Sequence, residues 1–273
     1  ADGYARGEAC CALTLRTTAG ATRCSLTMRG SCLRQDGKSA SLTAPNGQAQ
    51  QALLRREIIE ESLLGDVRVL GDLVDRGPDS FGVIELLIRG MEEGRDWVPL
   101  LGNHDRMFRR FLEDGTRHDA RILSGRGWLH PALGGPMTLA SYGVETGEDR
   151  PDDAILAEAR ARVPEAHRRF LNDRKTLHRE PGLIFVHAGL RPGVPVDQQD
   201  EDDLVWIRET FLNETRPFEA LVVHGHTAIE AATHYGNRVN LDTGAGYGRP
   251  LTVGVFEGDT VYTLSEFGRA TLS

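Results

Sequence analysis

Four short runs of potential metal-ligating residues constrain the fold and function of this chain more than any other feature. Each run follows a strand-like apolar stretch. The runs are Gly71-Asp72-Leu73-Val74-Asp75-Arg76-Gly77, Gly102-Asn103-His104-Asp105, His187-Ala188-Gly189-Leu190 and His224-Gly225-His226-Thr227. The apolar stretches before them are Val67–Leu70, Val98–Leu101, Leu183–Val186 and Leu221–Val223. Since strand ends in an α/β fold border a common crevice, we expect these side chains to meet there. Oxygen and imidazole donors suit a divalent cation such as Mn, Fe or Zn.

Composition and charge argue against nucleic-acid binding and against a membrane-spanning segment. The 273 residues carry a net charge of −8, which disfavours non-specific binding to nucleic acid, and no stretch approaches the ~18–20 apolar residues that span a membrane. The beginning of the chain has no apolar core of the signal-peptide kind. We therefore expect neither a nucleic-acid nor a membrane partner, and we expect a cytoplasmic protein.

Residues 1–50 differ from the rest of the chain. They contain no Ile, Val, Phe, Trp or His, and 25 of the 50 are Ala, Gly, Ser or Thr. The sequence allows a hairpin, a poorly ordered arm, or a departure from the native sequence through a reading-frame or cloning error. Its four cysteines lack metal-site spacing and are expected to be idle thiols (Cys10, Cys11, Cys24 and Cys32). We predict an atypical segment over residues 1–47 and one domain over 48–273.

Beyond residue 48, strands alternate with helices. A helix is expected over Gln50–Leu64, a second beginning near Ser80 and a third over His104–Glu113. Residues 114–150 are expected to form loops around a short element at Gly127–Leu133, and a helical cap around 150–175, broken at Pro164, is expected to restrict access to the cleft. The last third turns to short strands, Arg238–Asp242, Leu251–Phe256 and Thr260–Leu264. This order predicts an α/β fold with a parallel or mixed sheet covered by helices.

The four runs, followed by Asn240-Leu241-Asp242-Thr243-Gly244, resemble the metallophosphoesterases. The resemblance is to the PPP-type serine/threonine phosphatases and the bacterial diadenosine tetraphosphatases related to them, and it covers residues 66 to about 256. It implies a sandwich of two mixed β-sheets flanked by helices (α/β/β/α), with metals at the strand ends.

By this resemblance, Asp72, Asn103, His187 and His226 fill one complete metal position, with Asp72 bridging to a second. Mn is the most expected cation, and His224 is expected to lie outside the ligand set. The family's earlier Gly-Asp-x-His-Gly run is missing. Counting 28 residues back from Asp72 leads to Thr43-Ala44-Pro45-Asn46-Gly47-Gln48, where Asn46 offers a weak oxygen contact. We expect one firmly bound metal and a second that is absent or loose.

The resemblance also implies the catalytic groups. His104 is expected to protonate the leaving group, with Asp75 fixing its tautomer and raising its pKa. Arg76 and Arg208 match the arginines that hold the phosphoryl oxygens.

The function implied is a metal-dependent phosphoesterase, in which a metal-bound water attacks phosphorus in line. Candidate substrates are phosphoserine or phosphothreonine in proteins, small phosphoesters, and dinucleoside polyphosphates. The alternative is a degenerate phosphatase that binds a phosphorylated ligand or partner without efficient turnover, which the missing run favours. A third hypothesis keeps a normal enzyme and treats residues 1–50 as unrepresentative of the native chain.

Overall fold

The structure is a computed structural model, and it describes residues 13–16, 66–147, 149–265 and 268–273. Of the predicted N-terminal hairpin it describes residues 13–16, which pair with residues 66–69 on one side and 253–256 on the other. The rest of that hairpin, the cysteines, Asn46 and the Gln50–Leu64 helix lie outside the described residues. The strands are β1 Leu13–Arg16, β2 Asp66–Val69, β3 Trp97–Pro99, β4 Leu177–Glu180, β5 Leu183–Val186, β6 Leu221–His224, β7 Thr233–His234, β8 Arg238–Asn240, β9 Val253–Glu257, β10 Thr260–Ser265 and β11 Gly268–Leu272. The helices are α1 Ser80–Glu92, α2 Asn103–Asp114, α3 Gly135–Ser141, α4 Asp152–Arg162, α5 Glu165–Asn172, α6 Glu201–Trp206 and α7 Glu209–Leu212.

The strands form two mixed sheets. The first has the order β11-β10-β9-β1-β2-β3, with β2 and β3 parallel. The second has the order β4-β5-β6-β8-β7, with β5, β6 and β8 parallel. Parallel neighbours end at the same edge, so each sheet presents a pair of loops there: those after β2 and β3, and those after β5 and β6.

The two sheets pack on one another through a buried apolar layer. Alternate residues of β5 and of the first sheet's strands meet in it, as where the Phe185 and Phe256 rings cross edge to face at 6.0 Å. The opposite side of each sheet is covered by helices, where Val67 and Val69 of β2 join the α1 and α2 side chains in a second cluster. This confirms the expected α/β/β/α sandwich, because alternation along each strand supplies both layers.

Helix boundaries follow local signals. Asp79 caps α1 by accepting the Gly82 N–H at 2.7 Å, and Pro164 separates α4 from α5 as predicted, since a proline cannot donate within a helix. Helix α3 begins at a Gly-Pro pair inside a stretch expected to be loops around Gly127–Leu133. That prediction was wrong for α3, because seven residues are too short for a clear periodicity.

Helices α4 and α5 occupy the predicted cap region. They pack against the C-terminal half of α2, where Arg160 donates hydrogen bonds to the carbonyls of Leu112 and Glu113. A role in restricting access to the cleft stays a prediction. Among the described residues, no helix has the length and apolar character that crossing a membrane requires.

Candidate metal centre and phosphoryl site

The loops after β2 and β3 carry Asp72 and Asn103, and a third side chain holds both loops in place. The carboxylate of Asp105 accepts the backbone N–H groups of Gly102, Asp72 and Leu73, each at 2.8 Å. Asp105 is fully buried, and this burial raises its pKa to about 6 although the three backbone bonds lower it. The donor-bearing loops are therefore fixed before any ligand arrives.

Replacing Asp105 with Asn should destabilise the protein. The asparagine side chain has an NH₂ group, which donates hydrogen bonds, in place of one carboxylate oxygen, which accepts them. At least one of the three buried backbone N–H groups therefore loses its acceptor. We expect a loss of about 1–3 kcal/mol in the free energy of unfolding, measured by urea denaturation without added metal. Asp114→Asn, at the exposed end of the same helix, is the control and should change little. Equal stability of the two variants would refute this role.

A close backbone approach sets the position of Asp72. A Cβ atom on Gly102 would lie 2.1 Å from Asp72 Oδ1 and 2.3 Å from its backbone nitrogen, a separation that atoms do not tolerate. We expect Gly102→Ala to displace the carboxylate and weaken divalent-cation affinity at least about tenfold, measured by titration with Mn²⁺. The control, Gly147→Ala, adds a Cβ that meets nothing closer than 3.9 Å and should bind metal normally. Unchanged affinity in Gly102→Ala would contradict the prediction.

His187 directly follows β5, and its protonation state is set by its surroundings. Its Nδ1 donates to the Leu70 carbonyl at 2.7 Å, which leaves the Nε2 lone pair facing Asn103 Oδ1 at 2.9 Å and Asp72 Oδ1 at 3.4 Å. Burial above all lowers the pKa of His187 to about 3, so the ring is neutral at pH 7 and Nε2 carries no hydrogen. Three acceptor atoms thus converge, an arrangement that a cation between them would stabilise.

His226, two residues past the end of β6, completes the group. It is fully buried, and neither ring nitrogen has a hydrogen-bond partner. One ligand atom each from Asp72, His187 and His226 lie within 4.8 Å of one another, the one such group of His, Cys, Asp and Glu in the described parts of the chain. Burying ring nitrogens that have no hydrogen-bond partner costs free energy, and coordination of a metal ion would satisfy these nitrogens. The residues present therefore fit a divalent cation.

His224 lies beside this group and is not part of it. Its Nδ1 donates to the Gly225 carbonyl at 3.0 Å, and its ring packs edge-on against Phe211 at 4.9 Å. Its Nε2 is buried without a hydrogen-bond partner, and its position outside the ligand set stays a prediction.

The backbone at the site is strained. Asp72, Asp75, Arg76 and His226 have φ angles of 53°, 71°, 56° and 66°, and they are the described non-glycine residues with positive φ. Each such residue costs of order 1–3 kcal/mol, and such residues cluster where function requires an exact side-chain position.

His104 and Asp75 form a buried pair beside the donor group. His104 Nδ1 donates to Asp75 Oδ2 at 2.5 Å, and Arg76 Nη2 lies 3.4 Å from His104 Nε2. Burial and the charge of Arg76 lower the pKa of His104; Asp75 raises it as expected but does not prevail. Asp75 is itself held by Trp128 Nε1 at 2.9 Å and by Thr138 Oγ1 at 2.6 Å.

The two arginines lie near this pair. Arg76 has a buried Nη1 without a hydrogen-bond partner, and its guanidinium lies 5.1 Å from the centre of the Tyr247 ring. Arg208 donates to Thr227 Oγ1 at 3.4 Å and lines the same cavity as His104. Its charge also contributes to the lowered pKa of His187 and His226, which reflects its proximity to them.

A model of the calcineurin-like phosphoesterase domain matches residues 51–243 of this chain. The chain belongs to the calcineurin-like phosphoesterase family. The matched region contains all the predicted site residues except Asn46, and it begins just after the atypical N-terminal segment.

Relatives and solved structures agree with this family. The chain is 27% identical over 187 residues to the bis(5'-nucleosyl)-tetraphosphatase PrpE (asymmetrical) of Anoxybacillus flavithermus, covering 67% of this chain and 72% of that protein. A solved structure of a candidate diadenosine tetraphosphatase aligns with a TM-score of 0.50 at 22% identity, covering 85% and 91% of the two chains. A cold-active protein-tyrosine phosphatase of a psychrophilic Shewanella aligns with a TM-score of 0.53 at 13% identity, covering 96% and 80%. The two structural likenesses support the fold alone.

A different kind of similarity covers a short segment. Over 67 residues, the chain is 42% identical to a phenolphthiocerol/phthiocerol polyketide synthase of Mycobacterium tuberculosis. This match covers 23% of this chain and only 3% of the synthase.

Three residues that position the calcineurin-like site were not predicted. Asp105 stands inside a recognised run, but only the structure shows its three backbone bonds. Trp128 lies in the short element expected at Gly127–Leu133 and Thr138 in the loops expected around it, and nothing in the local pattern links them to Asp75. A buried Trp and Thr far along the chain from their partner leave no periodic signal.

Proposed function

We propose that this protein hydrolyses phosphoanhydride bonds of bis(5'-nucleosyl) polyphosphates in a metal-dependent reaction. The observation that carries the proposal is the buried donor group of Asp72, His187 and His226 beside the His104–Asp75 pair. The substrate class is supported by the identity to a bis(5'-nucleosyl)-tetraphosphatase over two thirds of the chain. Membership of the phosphoesterase family alone leaves phosphoprotein and small phosphoester substrates open, so they serve as comparison substrates in the test.

Asp72, Asn103, His187 and His226 would hold a divalent cation, which supplies Lewis-acid polarisation of a phosphoryl oxygen and a more acidic water when it is bound. Arg76 and Arg208 would donate hydrogen bonds to the equatorial oxygens, where charge accumulates as the phosphorus–oxygen bond breaks. The partnerless Nη1 of Arg76 supports this role.

His104 would give its proton to the leaving oxygen as water forms the new bond to phosphorus. Its Nδ1–H is committed to Asp75, so Nε2 is the nitrogen that carries and delivers the transferred proton. A bound phosphate would offset the positive charge of Arg76 and so remove one of the two causes that lower the His104 pKa.

A second candidate function is binding of a phosphorylated ligand without efficient turnover. It is favoured by the missing Gly-Asp-x-His-Gly run, because the described residues contain one donor group and not two. A single cation would leave part of the transition-state charge without the second metal's stabilisation.

One experiment separates the candidates. Metal content per chain is measured by elemental analysis, and hydrolysis of bis(5'-adenosyl) tetraphosphate, 4-nitrophenyl phosphate and a phosphothreonine peptide is measured with added Mn²⁺. The proposal expects preference for the dinucleotide. Preference for the peptide would support a protein phosphatase, and tight binding of the dinucleotide without turnover would support the binding protein.

We also propose that the atypical segment of residues 1–47 departs from the native sequence of the phosphoesterase domain outside β1, which lies between β2 and β9 in the first sheet. The proposal is supported by the composition of the segment, which lacks Ile, Val, Phe, Trp and His over residues 1–50, and by the family match, which begins only at residue 51. Sequencing the encoding genomic DNA across codons 30–80 tests this. A single uninterrupted reading frame in independent isolates would contradict an accidental join.

A further inference from the structure

A cavity of about 480 Å³ opens beside the candidate site, within the ~300–1,000 Å³ range of small-molecule sites. Its charged lining consists of Arg121, Arg191, Arg208, Asp203 and Glu209. Because His104 and Arg208 also line it, the cavity is continuous with the place where the phosphoryl group would react.

Arg121 and Arg191 are held on one shared carboxylate. Arg191 donates from Nε and Nη2 to the two oxygens of Asp203 at 2.5 and 2.7 Å, and Arg121 Nη2 lies 3.4 Å from the same group. The Asp203 side chain is only 5% exposed, whereas those of Arg121 and Arg191 are 41% and 47% exposed. The carboxylate is thus a buried anchor, and both guanidiniums keep an edge toward the cavity.

Positive charge exceeds negative charge along the wall of this cavity, where Arg121, Arg191 and Arg208 stand against Asp203 and Glu209. Two guanidiniums share the one negative charge of Asp203. Asp202 lies 3.5 Å from Arg121 but closer, at 2.5 Å, to the fully buried Arg106, which also pairs with Asp119 at 2.9 Å. Each guanidinium has five N–H donors, and Arg191 directs Nε and Nη2 at Asp203, which leaves Nη1 for a further acceptor.

The leaving group of a simple phosphomonoester such as 4-nitrophenyl phosphate carries no phosphate that could accept hydrogen bonds from these guanidiniums. A polyphosphate does offer such acceptors, because its leaving group carries further phosphates directly beside the reacting one. Arg76 and Arg208 are already assigned to the reacting phosphoryl group, so Arg121 and Arg191 remain for the charged leaving group of a polyphosphate.

We propose that Arg121 and Arg191 form a second anion subsite that binds the phosphates of the leaving group. This inference rests on the proposed function and deepens it, because it makes the subsite the determinant that selects polyphosphates over monoesters. Planar guanidiniums suit the paired oxygens of adjacent phosphates.

The test uses inorganic tripolyphosphate and orthophosphate as probes, titrated calorimetrically into the full chain without added divalent cation, since tripolyphosphate itself binds such cations. The wild type should bind tripolyphosphate more tightly than orthophosphate. Arg121→Ala and Arg191→Ala should each weaken tripolyphosphate binding about tenfold and affect orthophosphate less. Arg216→Ala is the matched control, an exposed arginine paired with Glu214 away from the cavity, and should bind like the wild type.

Equal binding of the two probes by the wild type would overturn the subsite, as would unchanged tripolyphosphate affinity in both variants. Arg191→Ala leaves Asp203 with a weaker partner and can lower stability, so Arg121→Ala, whose bond to Asp203 is longer, carries the test if the other does not fold. With substrates, the ratio of kcat/KM for bis(5'-adenosyl) tetraphosphate to that for 4-nitrophenyl phosphate should fall about tenfold in Arg121→Ala. Should the wild type turn over no dinucleotide, the proposed function fails, whereas the binding comparison still decides the subsite.

Discussion

Asp72→Asn should abolish metal binding and lower turnover by more than about 100-fold, since loss of residues that merely support a ligand already costs about 10–100-fold. The amide retains an acceptor for the His104 backbone N–H, which lies 3.0 Å from Asp72 Oδ1, so the loop should keep its shape while it loses the negative charge. Elemental analysis and hydrolysis of 4-nitrophenyl phosphate with added Mn²⁺ measure the two effects.

A stability measurement distinguishes lost chemistry from lost folding. Burial, with the neighbouring Asp105, raises the pKa of Asp72 well above its ordinary value, so its charge is costly in the metal-free protein. The metal-free Asp72→Asn protein should therefore melt at or above the temperature of the metal-free wild type. Asp149→Asn, at an exposed turn, is the control for both measurements. A variant that still binds one metal per chain would show that Asp72 is not a ligand.

His104→Ala should lower kcat by about 10²–10⁴-fold on phenyl phosphate, whose leaving group is strongly basic and needs a proton. The loss should be much smaller on 4-nitrophenyl phosphate, whose leaving group departs readily as an anion. The two substrates should differ because only the more basic leaving group depends on a donated proton. His104 would donate it from Nε2, since its Nδ1 is engaged by Asp75.

The control is His118→Ala, which removes an exposed histidine of the same chain and should leave both rates unchanged. Equal losses on the two aryl phosphates would indicate that His104 positions the substrate or its neighbours and does not donate a proton.

Much of the fold could be predicted because the strands are short, apolar and followed by distinctive polar runs. The strand Leu183–Val186 was predicted at its observed bounds, and Asp72, Asn103, His187 and His226 do lie together as four such runs require. The parallel pairing that brings them together follows from the alternation of strands and helices.

What could not be predicted depends on contacts between distant parts of the chain. Trp128 and Thr138 reach Asp75 across 53 and 63 positions, and no periodicity encodes such a contact. The sequence analysis expected Asp75 to raise the pKa of His104. In the folded protein this pKa is lowered, because burial and the charge of Arg76 outweigh the effect of Asp75. Local patterns specify elements, whereas the balance of charge and burial arises from their assembly.

The four predicted metal ligands come in pairs from the two β-sheets: Asp72 and Asn103 follow strands of the first, and His187 and His226 follow strands of the second. A cation bound by these four residues would link the two β-sheets of the sandwich at the edge where the residues meet. Cation binding should therefore raise the free energy of unfolding of both β-sheets. Hydrogen exchange at β8, a strand that contributes no ligand, would slow when the ion is added.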